Sequence, residues 1–302
     1  MRALLRSLTL AISLSAAFAP TITAAQNAAA QKEIDAASQA AMAAAQEGPA
    51  DIELDDQATL KLPARMVFVP KAQAQRLMQA HGNGTNPDMM GLVLPTGEGQ
   101  WLATIDFEKA GYIKEDDARD WDTDELLQSL KDGTEEANKA RRERGFDEIV
   151  VGGWTEVPKY DAASHRLVWS ALAKNKNGPD EDPTVNYNTY ALGRDGYISV
   201  DLITSQSQLP ADKSVALSLL DNISYVEGKR YADFNSSTDK VAEYGLAALV
   251  AGVAAKKLGL FAVIAAFLAK FAKVGFIAVA AVIMPLIRRL RGKKHQTPQT
   301  PA

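Results

Sequence analysis

After Glu243 the chain carries no acidic residue, and three apolar blocks follow at 244–255, 258–269 and 274–287. Lysine pairs separate them (Lys256/Lys257, then Lys270/Lys273), and Arg288, Arg289, Arg291, Lys293 and Lys294 form a basic tail. Each block alone is too short to cross a hydrocarbon core of about 30 Å. Residues 258–287 together are long enough to cross with tilt at about 1.5 Å per helical residue, which places Lys270 and Lys273 near mid-membrane. Each central lysine costs about 2.5–3.5 kcal/mol on insertion scales. Being three apart, the two share a helix face where snorkelling or a partner shelters them.

A second regularity runs through the first two blocks. Gly245, Gly252, Gly259 and Ala266 recur every seventh residue, and Ala248, Ala255, Ala262 and Ala269 follow each by three. A stripe of small residues lets two helix backbones approach closely. The expected partner is a second helix, from another copy of the chain or from 274–287.

The N-terminus has the pattern of a secretory signal: Arg2 and Arg6, a short apolar stretch at 8–18, then small residues with cleavage expected near Ala25. There is no cysteine anywhere, so an exported domain would be held by core burial rather than disulfides. All 37 acidic residues lie between Glu33 and Glu243, while 22 of the 33 basic ones lie between the signal and Glu243. Such an acidic domain argues against nucleic acid as a partner.

The organisation expected from these signals is a signal peptide at 1–25, an Ala/Gln-rich solvated spacer at 26–50, an exported domain at 51–240, a membrane segment at 241–287 and a cytoplasmic tail at 288–302. An exported domain followed by one crossing puts the basic tail in the cytoplasm, as the positive-inside rule prefers. Within the domain, strands are expected at 58–62, 65–70, 89–95, 100–107, 148–154, 166–173, 185–192 and 197–203. Helices are expected at 71–81, 123–145 and 209–221, with Asp122 capping the second. Successive hairpins with a few inserted helices predict the α+β class: a mainly antiparallel sheet covered by helices, followed by C-terminal transmembrane helical segments.

Chemical motifs are sparse. No nucleophile elbow, zinc helix, phosphate loop or dinucleotide fingerprint is present. Asp120, Asp122 and Asp124 open with calcium-loop spacing, but Glu125 stands where glycine is needed and Lys131 where an acid is needed. No metal or cofactor is expected. His81, His165 and His295 read as a helix end, a turn and a tail residue. The four tryptophans, Trp101, Trp121, Trp154 and Trp169, could line a sugar groove, although Trp101 and Trp169 sit in strand patterns.

At 230–252 the run that includes Tyr231, Asp233, Phe234, Asn235, Asp239, Lys240, Glu243, Tyr244 and Gly245 resembles the signature of an uncharacterised bacterial family, domain of unknown function 2167, whose members are predicted to be membrane-anchored. Gly153, Trp154, Pro158, Tyr160 and Asp161, the run Leu167-Val168-Trp169, Asn186-Tyr187-Asn188 and Ser207 to Pro210 resemble the same family. The resemblance spans about 58–294 and implies a location without an activity. The order of strands and helices is also similar to the small PsbP-like sandwich domains, which are mostly binding modules.

The combined expectation is a non-enzymatic protein of the inner membrane. Its acidic periplasmic domain would bind a protein or envelope component, and its partners would be the bilayer and an envelope protein or a second copy of itself. The alternative is a carboxylate-dependent envelope hydrolase. Candidate binding residues are Tyr231, Asp233, Asn235, Asp239, Lys240, Trp154, Tyr160 and Asp161. Candidate helix-packing residues are Gly245, Gly252, Gly259 and Ala266.

Overall fold

The computed structural model describes residues 24–81, 83–119, 121–143, 147–178 and 182–251, and the chain divides into two units, Met1–Gly252 and Val253–Ala302. Most of the signal, the positions Gly252, Gly259 and Ala266, the membrane span and the basic tail lie outside the described residues. Among the described residues no helix is long and apolar enough to cross a membrane.

The described chain is α+β. Its strands are β1 (Gln46–Glu47), β2 (Ala50–Leu54), β3 (Ala58–Leu62), β4 (Met66–Pro70), β5 (Met89–Pro95), β6 (Leu102–Glu108), β7 (Ile149–Asp161), β8 (Arg166–Asn175), β9 (Thr184–Leu192), β10 (Tyr197–Ser205) and β11 (Ile223–Tyr225). Its helices are α1 (Ala24–Ala44), α2 (Lys71–Ala80), α3 (Thr123–Glu143), α4 (Leu209–Asp221) and α5 (Leu246–Val250). Asp122 Oδ1 accepts from the backbone N–H groups of Asp124 and Glu125 and so caps α3. Eight strands form one antiparallel sheet in the order β1-β4-β5-β6-β10-β9-β8-β7, and three form a second in the order β11-β3-β2. β7 is an edge strand with three register shifts, and such a strand tolerates Pro158, which has no N–H to donate.

Alternation along the strands sorts side chains to the two faces of the large sheet. One face carries Phe68, Val93, Ala103, Ile105, Ile198, Val200 and Leu202. It packs on Ile52, Leu54, Leu60 and Leu62 of the small sheet and on Ala216 and Leu219 of α4. The small sheet, not helices alone, covers this face. The other face has two separate apolar patches. Val67, Val69, Leu92 and Leu94 lie under α1 and α2, while Leu167, Trp169, Leu192 and Tyr197 lie under Leu126 of α3 and Leu246, Leu249 and Val250 of α5. Between the patches, β6 and β10 present Thr104, Asp106, Ser199 and Asp201.

Two features differ from the sequence-based expectation. The Ala/Gln-rich stretch is not a solvated spacer: it forms α1, whose Ala37 and Ala41 are fully buried beside Ala74 and Leu77 of α2. Alanines four apart make a narrow stripe that lets the helices approach closely, and the sheet's valines and leucines supply the bulk. The stretch 241–250, assigned to the start of the membrane segment, is packed into the domain. Its Leu246, Leu249 and Val250 are no more than 1 % exposed.

Because Ala37 has no room around it, Ala37→Leu should cost about 1–3 kcal/mol by overpacking, measured by denaturant unfolding. An unchanged midpoint would mean that α1 is not docked.

Candidate functional site

The chain from β11 onward runs back across the turn of the β9–β10 hairpin, where Arg230 bridges Gly193, and brings four rings into register. Phe234 stacks on Tyr112 (centroids 3.8 Å apart), Tyr112 on Tyr231 (4.4 Å), and His165 lies over Tyr231 (4.2 Å). Backbone pairing fixes this ladder. Tyr112 N–H donates to Lys240 O and Ala242 N–H donates to Tyr112 O, both at 2.8 Å, making a parallel bridge between Tyr112 and Val241. Gly111 beside it adopts φ +94°, and a Cβ there would press on Lys240 O. The Tyr231 hydroxyl donates to Ile113 O at 2.7 Å. Tyr231 is buried, whereas Phe234, Tyr112 and His165 are half-exposed.

At the end of the ladder stands a polar triad. The Tyr160 hydroxyl donates to Glu115, and His165 Nδ1 lies 3.4 Å from the same Glu115 oxygen and 3.3 Å from the Tyr160 hydroxyl. Burial, then the adjoining Glu115 carboxylate, pushes the Tyr160 phenol far above its usual range, so this hydroxyl is a donor and not a base. His165 holds φ +54° at the end of the β7–β8 turn, a region histidine enters more readily than most residues but that still signals a constrained position. The turn is locked by Asp161, which accepts from Ser164 Oγ and Ala163 N–H. Those bonds, by stabilising the ionised form, hold its carboxyl below its usual value.

Next to the turn, on the sheet face that carries α4, lies an open groove of about 320 Å³. Tyr160, Asp161, Arg166, Tyr187 and Lys213 line it, with Glu156 at its centre. Glu156 accepts from Lys213 Nζ and the Tyr187 hydroxyl. Burial raises the Glu156 carboxyl, but Lys213, Tyr187 and Lys159 outweigh that and leave it below its usual value. Arg166 is paired with Asp221. The groove is thus open, mixed in charge and internally matched.

Of the residues singled out in the sequence, Tyr231, Tyr160 and Asp161 meet here. The others have structural tasks. Asp239 takes a bidentate bond from Arg194 (2.7 and 2.8 Å) and accepts from Asn235 N–H. The Arg194 bonds, then that N–H, hold its carboxyl well below the usual carboxylate range. Asp233 accepts from Arg230 N–H, and Asn235 Oδ1 accepts twice from Ser237. Lys240 contributes its carbonyl while its side chain is exposed. Trp154 packs edge-on against Trp169 and donates to Thr123 O. Gly245 is not a described helix-packing position. Its Cα faces the Asp117 carboxylate, where a Cβ would overlap both oxygens. Asp117 accepts from the N–H groups of Leu246 and Ala247 and so caps α5 from across the fold.

The sequence reading missed Tyr112, Glu115 and His165. Tyr112 lies over a hundred residues from Tyr231 and Phe234, and Glu115 lies 45 and 50 residues from Tyr160 and His165, so no local spacing marks these two. His165 carried one signal, its place at a turn immediately before a strand.

Gly245→Ala and Asp117→Ala should each loosen α5 by about 0.5–2 kcal/mol, the usual cost of a lost cap. Thermal unfolding of each variant checks this, and no change in either would remove the capping role.

Comparison with known proteins bears on identity but not activity. No curated protein matches the sequence. Among solved structures, the chain is similar to the solution structure of cyanobacterial PsbP (CyanoP) from Synechocystis sp. PCC 6803, at 12% identity, covering 61% of this chain and 94% of that one with a TM-score of 0.38. Residues 46–280 match the family described as protein of unknown function (DUF2167). That match takes in both β-sheets, the ring ladder and the run through α5, and the chain belongs to the DUF2167 family.

Proposed function

We propose that the protein is a non-enzymatic, membrane-anchored component of the cell envelope. Its acidic domain stands on the periplasmic side of the inner membrane and binds a protein or another envelope component. The ladder Phe234–Tyr112–Tyr231–His165 carries this reading. Three of its rings are half-exposed, Tyr112 and Tyr231 are fixed from behind by backbone pairing and the Tyr231–Ile113 bond, and Tyr160, which contacts His165, lines the groove. Rigid aromatic surface offers contact area at little entropic cost, which is why such residues anchor interfaces. The ladder also belongs to the stretch of chain that leads into the apolar C-terminal run.

The alternative, a carboxylate-dependent hydrolase, needs two acids converging on a cleft. The groove's Glu156, Asp161 and Asp221 are tied to Lys213, Ser164 and Arg166. The remaining close pair of strand acids, Asp106 and Asp201, stands on the opposite face of the sheet. Both observations support binding over hydrolysis.

A photo-crosslinking residue at the exposed Ala162 should capture a discrete adduct in the native envelope, and Phe234→Ala should weaken it severalfold. A probe at the exposed Asp51, on the small sheet, should not capture it. Equal capture from both positions, or no effect of Phe234→Ala, would contradict the binding face. For the anchor, a reporter fused after His295 should be active only in the cytoplasm; activity confined to the periplasm would overturn the single crossing.

A further inference from the structure

The polar strip between the two helix-covered patches has no part in the proposed binding face, and it contains the least satisfied group in the fold. Asp201 pairs across the sheet with Thr104 and with Asn188, and Ser199 pairs with Asp106 and with Tyr190. The two acids are therefore diagonal neighbours on one face, with Cβ atoms about 7 Å apart. Asp106 is held by Asn86 Nδ2 (2.8 Å) and Thr104 Oγ1 (3.1 Å). Asp201 has only Ser199 Oγ at 3.4 Å on one oxygen, and its Oδ1 is sealed from solvent with no partner. Trp169 pairs with Asn188 on the same face; it is 6 % exposed, and its sealed Nε1 points to the Tyr190 hydroxyl. A buried carboxylate oxygen without a donor strongly disfavours the ionised form.

We propose that Asp106 and Asp201 form a proton-binding pair whose charge state sets how tightly α5 docks on the sheet. The link is Tyr190, whose hydroxyl donates to Leu249 O of α5 at 3.3 Å and whose ring lies diagonal to Asp201 across β9 and β10. While Asp201 keeps its proton, Tyr190 serves Leu249. When Asp201 loses it, the new charge on this partly buried carboxyl draws a donor to its sealed Oδ1 from its own face, and Tyr190 turning to it releases Leu249 O.

Burial, then repulsion from Asp106, pushes Asp201 up to about 8. Burial also raises Asp106, to about 6, against the bonds from Thr104 and Asn86. The two titrate as a pair, so near neutrality Asp106 is charged and Asp201 is not. The other groups facing the strip are Asp88, which repels Asp106, and Lys71, which attracts it. Glu108 lies further along β6, bonded by the hydroxyls of Tyr197 and Tyr244. Burial holds Tyr190 and Tyr197 neutral at all relevant pH. The sign follows from linkage. A carboxyl with a raised folded value costs nothing below about pH 4, where both states are protonated. Its cost grows as pH rises to the folded value near 8 and is constant above it.

The test is amide hydrogen exchange of 246–250 in the purified full chain from pH 6 to 9, corrected for intrinsic rates. Wild-type protection should fall by up to about tenfold per pH unit as pH rises towards about 8 and level off above it, and Asp201→Asn should abolish that fall. Asp201→Asn should also unfold at higher temperature than wild type at pH 8 but not at pH 4. Tyr190→Phe should remove the pH dependence of 246–250 while keeping that of global stability. A fall that persists in Asp201→Asn, or wild-type protection that is flat with pH, would overturn the proton pair. A fall that persists in Tyr190→Phe would overturn the link to α5.

Discussion

The short parallel bridge between Tyr112 and Val241 is the interaction on which the rest of the outer half of the domain depends. Two backbone bonds at 2.8 Å return the C-terminal run to the sheet after β11. That return brings Tyr231 and Phe234 onto Tyr112, sets α5 over Tyr190 and places Asp117 at the first N–H groups of α5. The Arg194–Asp239 pair supports it by clamping the loop that leads there. No single contact is large, but together they convert a tether into a wall of the domain.

This geometry moves the border between domain and C-terminal apolar run. A sequence that is apolar and free of acids past Glu243 reads as membrane from its first residue, because hydropathy does not distinguish a lipid-facing leucine from one buried on a sheet. Leu246, Leu249 and Val250 are of the second kind. Their spacing, i, i+3 and i+4, is that of a helix with one buried stripe, and Gly245 is needed for the approach of Asp117. A seven-residue recurrence of small residues that starts at Gly245 therefore begins inside the folded domain.

Eight of the eleven described strands were legible, through alternation of apolar and polar positions at 102–107 and 197–202 and through the continuous apolar run at 89–95, while β1, β2 and β11 were not expected. Helix α4 was legible through its Pro210 start and its apolar spacing. What remained hidden was long-range. Nothing in 24–44 shows that alanines alone suffice for burial, since the bulk comes from Val67, Val69 and Leu92 far along the chain. The ring ladder joins residues from three separate stretches, at 112, 165 and 231–234. The acids of the central strip were hidden for a different reason: Thr104, Asp106, Ser199 and Asp201 occupy the polar positions of ordinary amphipathic strands, which normally face water. Only the sheet order, with β6 and β10 innermost and helices to either side, turns that solvent pattern into a partly sealed polar strip.

The central claim is that the C-terminal run is an integral part of the domain and presents a fixed aromatic face. A double-mutant cycle on Tyr112→Leu and Tyr231→Leu, followed by equilibrium unfolding, tests it most directly. The account predicts a coupling of about 0.5–1.5 kcal/mol, the range for stacked aromatic pairs. Strictly additive effects of the two substitutions would contradict it.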